Sequence, residues 1–267
     1  MNWIFLNKNN SDEYIEMFAR GSGVEPTCLE TWNYNDSSAP LVIRGIMKQK
    51  IINQCWNDRR LFFYMDSGYL GNRPSAVNPK GWKHWHRIVP NNLQHDKIIA
   101  RPNDRWNSLG IALSQKRQSG SDILIVAPDD KPCTFYGTSQ KEWLDSTIDT
   151  IKQYTDRKIK IRERPASRQE RKTTTAREWL KDVHAVVTFN SVAATESIIE
   201  GVPVFVTAPC NAARPVSNID LRHIDAPWFP DNDLRYAWVC HLAYGQFHIS
   251  ELENGVATKI LKETVGA

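Results

Sequence analysis

Four groups of residues in this 267-residue chain have types and spacings suited to chemistry. The first is the run Ala185 to Val206: an apolar stretch ends at Phe189, Asn190 and Ser191 follow, Glu196 comes five residues later, and Gly201-Val-Pro203 precedes a second apolar stretch. Ala185 to Phe189 predicts a buried strand. Asn190 and Ser191 predict the opening of a helix whose free N–H groups and positive dipole end favour an anion, most naturally a phosphate. Gly201 closes that helix, and Val204 to Val206 starts the next strand. Glu196 falls on the first turns, where it either faces a ligand or lies on a solvated helix face, a common place for Glu.

The second group is Ile159 to Lys172, where a strand delivers Arg162 and Arg164 to its carboxyl end and the loop beyond adds Arg168, Arg171 and Lys172. Arg162 and Arg164 alternate with Glu163 and share one strand face. Guanidinium groups at the ligand end of an open α/β sheet suit a phosphate-bearing ligand, which they meet through paired hydrogen bonds. Arg168 and Arg171 fit a solvated basic loop equally well. The third is Asp66, at the end of the apolar run Leu61 to Met65. A carboxylate there can take the proton of an attacking hydroxyl, although Asp66-Ser-Gly68 is also good turn chemistry. The fourth is Arg73 to Arg105, where Lys80, Trp82, Lys83, Trp85 and Arg87 interleave aromatic faces with cations. That pattern can stack bases and meet phosphates, and Trp82 and Trp85 fit a protein core as well. His84-x-His86 has no carboxylate or thiolate beside it, and the Ala185 to Val206 run has no Asp-x-Asp, so no metal is expected.

The elements that must position these residues alternate. Trp3 to Leu6 predicts a strand, Asp12 to Arg20 a helix, Leu41 to Arg44 a strand, Lys48 to Trp56 a helix and Arg60 to Met65 a strand. Asn72 to Asn107 reads as one long irregular segment, and its three Trp and three His residues argue against disorder. Beyond Gly120, Asp122 to Ala127 predicts a strand, and Gln140 to Tyr154 a helix with Ser139 as N-cap. Lys158 to Arg162 then predicts a strand and Thr175 to Lys181 a short helix. The loop Pro128 to Lys131 is expected to line the ligand end. Strand–helix alternation at this spacing is a doubly wound parallel sheet. Two helices close the chain, Asp231 to Tyr244 and Ser250 to Glu263.

Composition bounds the rest. No apolar run approaches 18 residues, and the N-terminus lacks signal-peptide architecture, so neither a membrane span nor export is expected. Five scattered cysteines without a Cys-x-x-Cys pair suggest reduced thiols in a cytoplasmic setting. Residues 1–110 carry 14 basic and 10 acidic side chains against 20 of each beyond, so the net charge of +4 belongs to the first part, in keeping with a polyanionic acceptor.

The Asn190 to Pro203 pattern resembles the donor-nucleotide motif of GT-B glycosyltransferases. Taken with Phe63-Tyr-Met-Asp-Ser-Gly-Tyr69, Arg87-Ile-Val-Pro-Asn-Asn-Leu-Gln94 and Trp238-Val-Cys-His-Leu-Ala-Tyr-Gly-Gln-Phe247, the chain is similar to phage-encoded GT-B enzymes, some of which add glucose or arabinose to 5-hydroxymethylcytosine in DNA. The resemblance implies an α/β fold of two Rossmann-like halves facing a central cleft, with C-terminal helices returning to the first half. Residues 1–115 would bind the acceptor and residues 116–267 the nucleotide sugar. Asn190 and Ser191 would then face the donor phosphates, Glu196 would hold the ribose hydroxyls, and Arg162 and Arg164 would meet the leaving group. Asp66 would act as the base, while Arg73, Lys80, Trp82, Lys83, Trp85 and Arg87 would hold double-stranded DNA. The expected co-substrate is a nucleoside diphosphate sugar, UDP-linked, with no other cofactor, in the cytoplasm of a host cell. Two alternatives stay open: a transferase acting on a capsule or lipopolysaccharide glycan, and a non-catalytic nucleic-acid-binding protein on a degenerate scaffold.

Overall fold

The computed structural model describes residues 3–8, 12–71, 84–117, 120–163 and 176–266. The chain forms two compact units, one of Met1–Leu93 with Tyr244–Ala267 and one of Gln94–Ala243. The division therefore falls at residue 93 and not at 115, and the chain crosses it a second time at residue 243.

The first unit is a mixed sheet. Its strands are β1 (Ile4–Asn7), β2 (Thr27–Cys28), β3 (Leu41–Arg44), β4 (Phe62–Ser67), β5 (Trp85–Pro90) and β10 (Gln246–His248), in the order β10-β5-β4-β3-β1-β2. β1 to β4 run parallel, which needs crossovers; α1 (Glu13–Gly21) supplies the one from β1 to β2 and α2 (Gln49–Asn57) the one from β3 to β4. β5 and β10 each pair antiparallel with their inner neighbour. Leu41-Val-Ile43 and Phe62-Phe-Tyr-Met65 are buried throughout, the continuous apolar reading expected of strands covered on both faces. Trp3, Phe5, Phe18, Phe63, Met65 and Phe247 centre this core.

The C-terminal helices belong here. α9 (Ile249–Glu253) and α10 (Val256–Val265) pack on α1, whose Gly21 lies so close that a Cβ would stand 1.9 Å from the Leu252 carbonyl oxygen. The single helix expected over Ser250 to Glu263 is broken at Gly255, which has φ +83° and starts α10 afresh. The expected irregular stretch Asn72 to Asn107 contains β5 and, in the second unit, α3 (Asp104–Ser108); its residues 72–83 lie outside the described residues. β5 escaped notice because Trp85-His-Arg-Ile-Val-Pro90 places polar side chains among apolar ones without alternating cleanly.

The second unit is a parallel sheet of β6 (Asp122–Val126), β7 (Ile159–Arg162), β8 (Val183–Thr188) and β9 (Val204–Val206), in the order β7-β6-β8-β9. Its helices are α4 (Asp130–Phe135), α5 (Gln140–Lys152), α6 (Ala176–Trp179), α7 (Ala193–Ile199) and α8 (Asn232–Tyr244). α4 occupies what was expected to be loop. α5 begins with a full capping box, in which Ser139 accepts the Glu142 N–H and Glu142 accepts the Ser139 N–H. Ile123, Ile125, Trp143, Val187, Phe189 and Phe205 form the core. Among the described residues no helix is long and apolar enough to cross a membrane, and all five cysteines are free thiols.

Candidate functional site

In the second unit the chain runs from β6 outward to β7, then crosses back to β8 on the other side of β6. The switch point of the sheet is therefore the gap between the carboxyl ends of β6 and β8, where ligands of open α/β sheets collect. Registers Val126↔Arg162, Val126↔Thr188 and Thr188↔Val206 put four strand ends in one row. Asn190 and Ser191 lie two and three residues beyond Thr188, and Pro128 two beyond Val126, so both loops border that gap.

Each of these groups is fastened. Thr188 Oγ1 donates to the Val126 carbonyl at 3.1 Å, tying the two strand ends together. Gln140 Nε2 donates to the Pro128 carbonyl at 2.7 Å. Gln94, buried, donates through Nε2 to the Asn190 carbonyl at 2.9 Å and accepts the Ala212 N–H through Oε1 at 2.9 Å. The sequence carried a signal for Gln94 only as part of a motif, and its work is to hold the Asn190 turn. Ser191 Oγ accepts the Ala193 N–H at 3.2 Å, an ordinary Ser turn. The helix begins at Ala193, after Val192 at the N-cap, so Asn190 and Ser191 precede α7 and do not start it. Glu196 lies in its first turn, half-buried. Arg162 ends β7 with its guanidinium 4.9 Å from the Trp179 ring centre. Arg164 lies outside the described residues, as do Arg168, Arg171 and Lys172.

The first unit carries Asp66. It is the fifth residue of β4 and faces Arg87 across the antiparallel pair. Arg87 Nη2 donates to Asp66 Oδ2 at 3.0 Å, the Tyr64 hydroxyl donates to the same oxygen at 3.0 Å, and the Ser67 N–H donates to Oδ1 at 2.7 Å. Burial pushes the carboxyl up, but the Arg87 guanidinium, the Ser67 N–H and the Tyr64 hydroxyl outweigh it and hold Asp66 below the usual carboxylate range. The carboxylate is thus ionised at neutral pH, and its side chain stays 39 % exposed. Asp66 belongs to the strand and not to a closing turn.

Arg87 does not present its charge to solvent as a phosphate ligand would. It is 7 % exposed, and beyond Asp66 it donates to the Ser67 carbonyl at 2.7 Å and the Leu93 carbonyl at 3.3 Å. Trp85, half-buried, meets the His248 ring at 5.3 Å, and its indole lies against Gly71, where a Cβ would stand 2.9 Å from Nε1. Arg73, Lys80, Trp82 and Lys83 lie outside the described residues.

A cavity of about 830 Å³ lies elsewhere, at the amino end of the second sheet, lined among others by Ser121, Arg157, Asp182, His184 and Asp225. Several of its polar side chains are engaged: Arg157 pairs with Asp225 at 2.8 Å, and His184 bonds the Ile224 carbonyl. Size alone does not make it the site, because the switch-point residues sit at the opposite end of the strands.

No protein-family model matches the chain, and no curated protein does. Among solved structures it is similar to the β-Kdo 2,4 transferase of Thermosulfurimonas dismutans KpsC, with 10 % identity over 98 % of each chain and a TM-score of 0.53. It is also similar to the β-Kdo 2,7 transferase of that organism's KpsC, at 11 % identity, 97 % of this chain, 99 % of the other and a TM-score of 0.46. At this identity the first likeness is one of fold.

Proposed function

We propose that the protein is a glycosyltransferase that moves arabinose or glucose from a nucleoside diphosphate sugar, UDP-linked, to the hydroxyl of 5-hydroxymethylcytosine in phage DNA. The observation that carries this reading is a convergence. Two of the motifs resembling the phage enzymes, Phe63 to Tyr69 and Arg87 to Gln94, pair across β4 and β5 with Asp66 opposite Arg87. The end of the third supplies β10, whose Gln246 sits opposite Arg87 and accepts the N–H groups of Tyr69 and Leu70 at 2.8 and 2.9 Å. Segments far apart in sequence thus build one setting, and that setting holds an ionised carboxylate.

The chemistry follows from that carboxylate. The acceptor oxygen attacks the anomeric carbon, the bond from that carbon to the diphosphate oxygen breaks, and the nucleoside diphosphate leaves with the electron pair. The proton passes to Asp66. Oδ2 already accepts two donors, whereas Oδ1 accepts only the Ser67 N–H among the described residues, so Oδ1 keeps room for the acceptor hydroxyl. On the donor side, Asn190 and Ser191 border the switch point for the phosphates, Glu196 takes the ribose hydroxyls and Arg162, with Arg164, meets the departing charge. Cytosine inside a duplex is reached either by turning it out of the stack or by a deep approach through the major groove, and Trp82, Trp85, Arg73, Lys80 and Lys83 are assigned to holding the DNA.

The likeness of fold to a Kdo transferase favours one second reading, a glycan hydroxyl as acceptor. The experiment incubates the protein with a panel of nucleotide sugars and with duplexes containing cytosine or 5-hydroxymethylcytosine, then weighs the digested nucleosides. A pentose or hexose increment confined to the hydroxymethylated duplex is expected. Transfer only to a glycan acceptor selects the second reading, and no transfer to either sinks both. Glu196→Ala should weaken calorimetric binding of the donor nucleotide by about 1.5 to 3 kcal/mol, the worth of a hydrogen bond to a charged group.

A further inference from the structure

The first unit has its own switch point. From β1 the chain goes outward to β2, then returns to β3 on the other side of β1, so the gap between the carboxyl ends of β1 and β3 is where its connections diverge. The residues that border this gap take no part in the transfer chemistry above. They are Asn7 at the end of β1, Asp12 at the N-cap of α1, Arg44 at the end of β3 and Lys48 just beyond.

We propose that this gap is an oxyanion-binding site in which the Arg44 guanidinium and the Lys48 ammonium take a phosphate or carboxylate group. Arg44 is oriented from two sides: Nη1 donates to Asp12 Oδ2 at 2.9 Å, and the guanidinium lies 4.7 Å from the Tyr14 ring centre. One side chain donor is thereby used. Nε is buried without a hydrogen-bond partner, and the side chain remains 27 % exposed. Lys48 is half-buried, and its ammonium donates to the Arg44 carbonyl at 2.5 Å. Among the described residues it makes no ion pair.

Asp12 acts on Lys48 through its charge but makes its hydrogen bonds elsewhere. Its Oδ2 holds Arg44, and its Oδ1 accepts the N–H groups of Tyr14 and Ile15 that open α1. Asn7 fixes Asp12 in turn, accepting its N–H at 3.1 Å and donating to Glu16 at 3.1 Å. The charges that act most on Lys48 are Asp12 and Glu30, which favour its ammonium, and Arg44 and Lys8, which oppose it. Burial pushes the Lys48 ammonium down from its ordinary pKa, and an incoming oxyanion would offset the hydration that burial removes. A guanidinium with open donors beside an ammonium fits a tetrahedral or planar oxyanion and has little to offer a neutral sugar.

The site stands apart from the transferase reading and is tested without turnover. The whole protein, labelled with nitrogen-15 in its Arg and Lys side chains, is titrated with inorganic phosphate and separately with glucuronate, sodium chloride holding the ionic strength constant. Saturable movement of the Arg44 Nε and Lys48 Nζ signals is expected, with apparent affinity reduced at least tenfold in Lys48→Met and in Arg44→Met. Response to phosphate alone identifies a phosphate ester as the source, and response to glucuronate identifies an acidic sugar; either supports the site. Arg44→Met also releases Asp12 at the start of α1, so Lys48→Met, which gives up only a bond to a backbone carbonyl, decides. Signals that do not move, or a Lys48→Met protein that titrates like the parent, overturn the proposal whatever the transferase assay reports.

Discussion

Acidification should weaken the second unit through His241, and the size of the effect can be worked out. The ring lies on α8, 4 % exposed, edge-on to His95 with centroids 5.1 Å apart, and its buried Nδ1 has no hydrogen-bond partner. Burial, with the Arg101 charge adding to it, pushes the imidazolium pKa down from 6.5 to about 4. The unfolded chain therefore takes the proton first. The contribution to stability is complete above pH 6.5 and is lost as the pH falls from 6.5 toward 4, where the folded ring charges as well. At 1.36 kcal/mol per pKa unit, that interval is worth about 3 kcal/mol, a large part of the 5 to 15 kcal/mol that holds a domain together. His184 and His248 are also depressed, so the test is a difference. Urea unfolding of the parent and of His241→Phe at pH 7 and pH 4.5 should show the parent losing about 2 to 3 kcal/mol more than the variant. Proton NMR should place the His241 titration near pH 4. A midpoint at 6 or above, or equal losses in the two proteins, would refute the assignment of burial as the dominant cause.

Four further outcomes follow from the geometry. Gln94→Ala removes the donor to the Asn190 carbonyl and the acceptor of the Ala212 N–H, and should cost about 1 to 3 kcal/mol in thermal unfolding, with weaker donor binding because the Asn190 turn is released. Gly201→Ala forces a side chain onto φ +83° with its Cβ 2.0 Å from the Gln115 carbonyl oxygen; a loss of roughly 2 kcal/mol or more is expected, and a melting temperature within a degree of the parent would show that the turn adapts. Asp66→Asn should lower turnover by roughly 100-fold with donor affinity intact. Arg87→Met should instead raise the Asp66 pKa, so the acidic limb of the kcat/KM profile moves to higher pH; an unmoved limb would separate Asp66 from the titration.

Much of the fold was legible because each half repeats a strand with two covered faces. Leu41-Val-Ile, Phe62-Phe-Tyr-Met and Ala185-Val-Val-Thr-Phe announce themselves as buried strands, and Ser139 with Glu142 marks a helix start that the backbone honours. What stayed hidden depends on partners distant in sequence. β10 is three residues long and reads as helix or turn until β5 stands beside it. β5 in turn holds Arg87, whose charge suits the sheet only because Asp66 lies directly opposite. The boundary at residue 93 likewise shows no composition change; just beyond it, Gln94 turns its side chain to the Asn190 carbonyl and the Ala212 N–H, partners distant in sequence that no local reading supplies.

The site was legible by residue type more than by role. Asp66 and Arg87 were both marked, one as a base and one as a ligand for phosphate, and a single antiparallel register joins them into an ion pair in which the charge of the second helps to hold the first ionised against its burial. A cation that a sequence offers to solvent can be spent inside the protein, and only the pairing of strands tells which. Arg44 is the converse case. Nothing in Leu-Val-Ile-Arg44 distinguishes it from any charged strand end, yet the crossing from β2 back to β3 sets it at the first unit's switch point, where Asp12 takes one of its donors and Lys48 bonds its backbone carbonyl. Connection order, which no local window contains, decides which of the chain's 34 basic residues can meet a ligand.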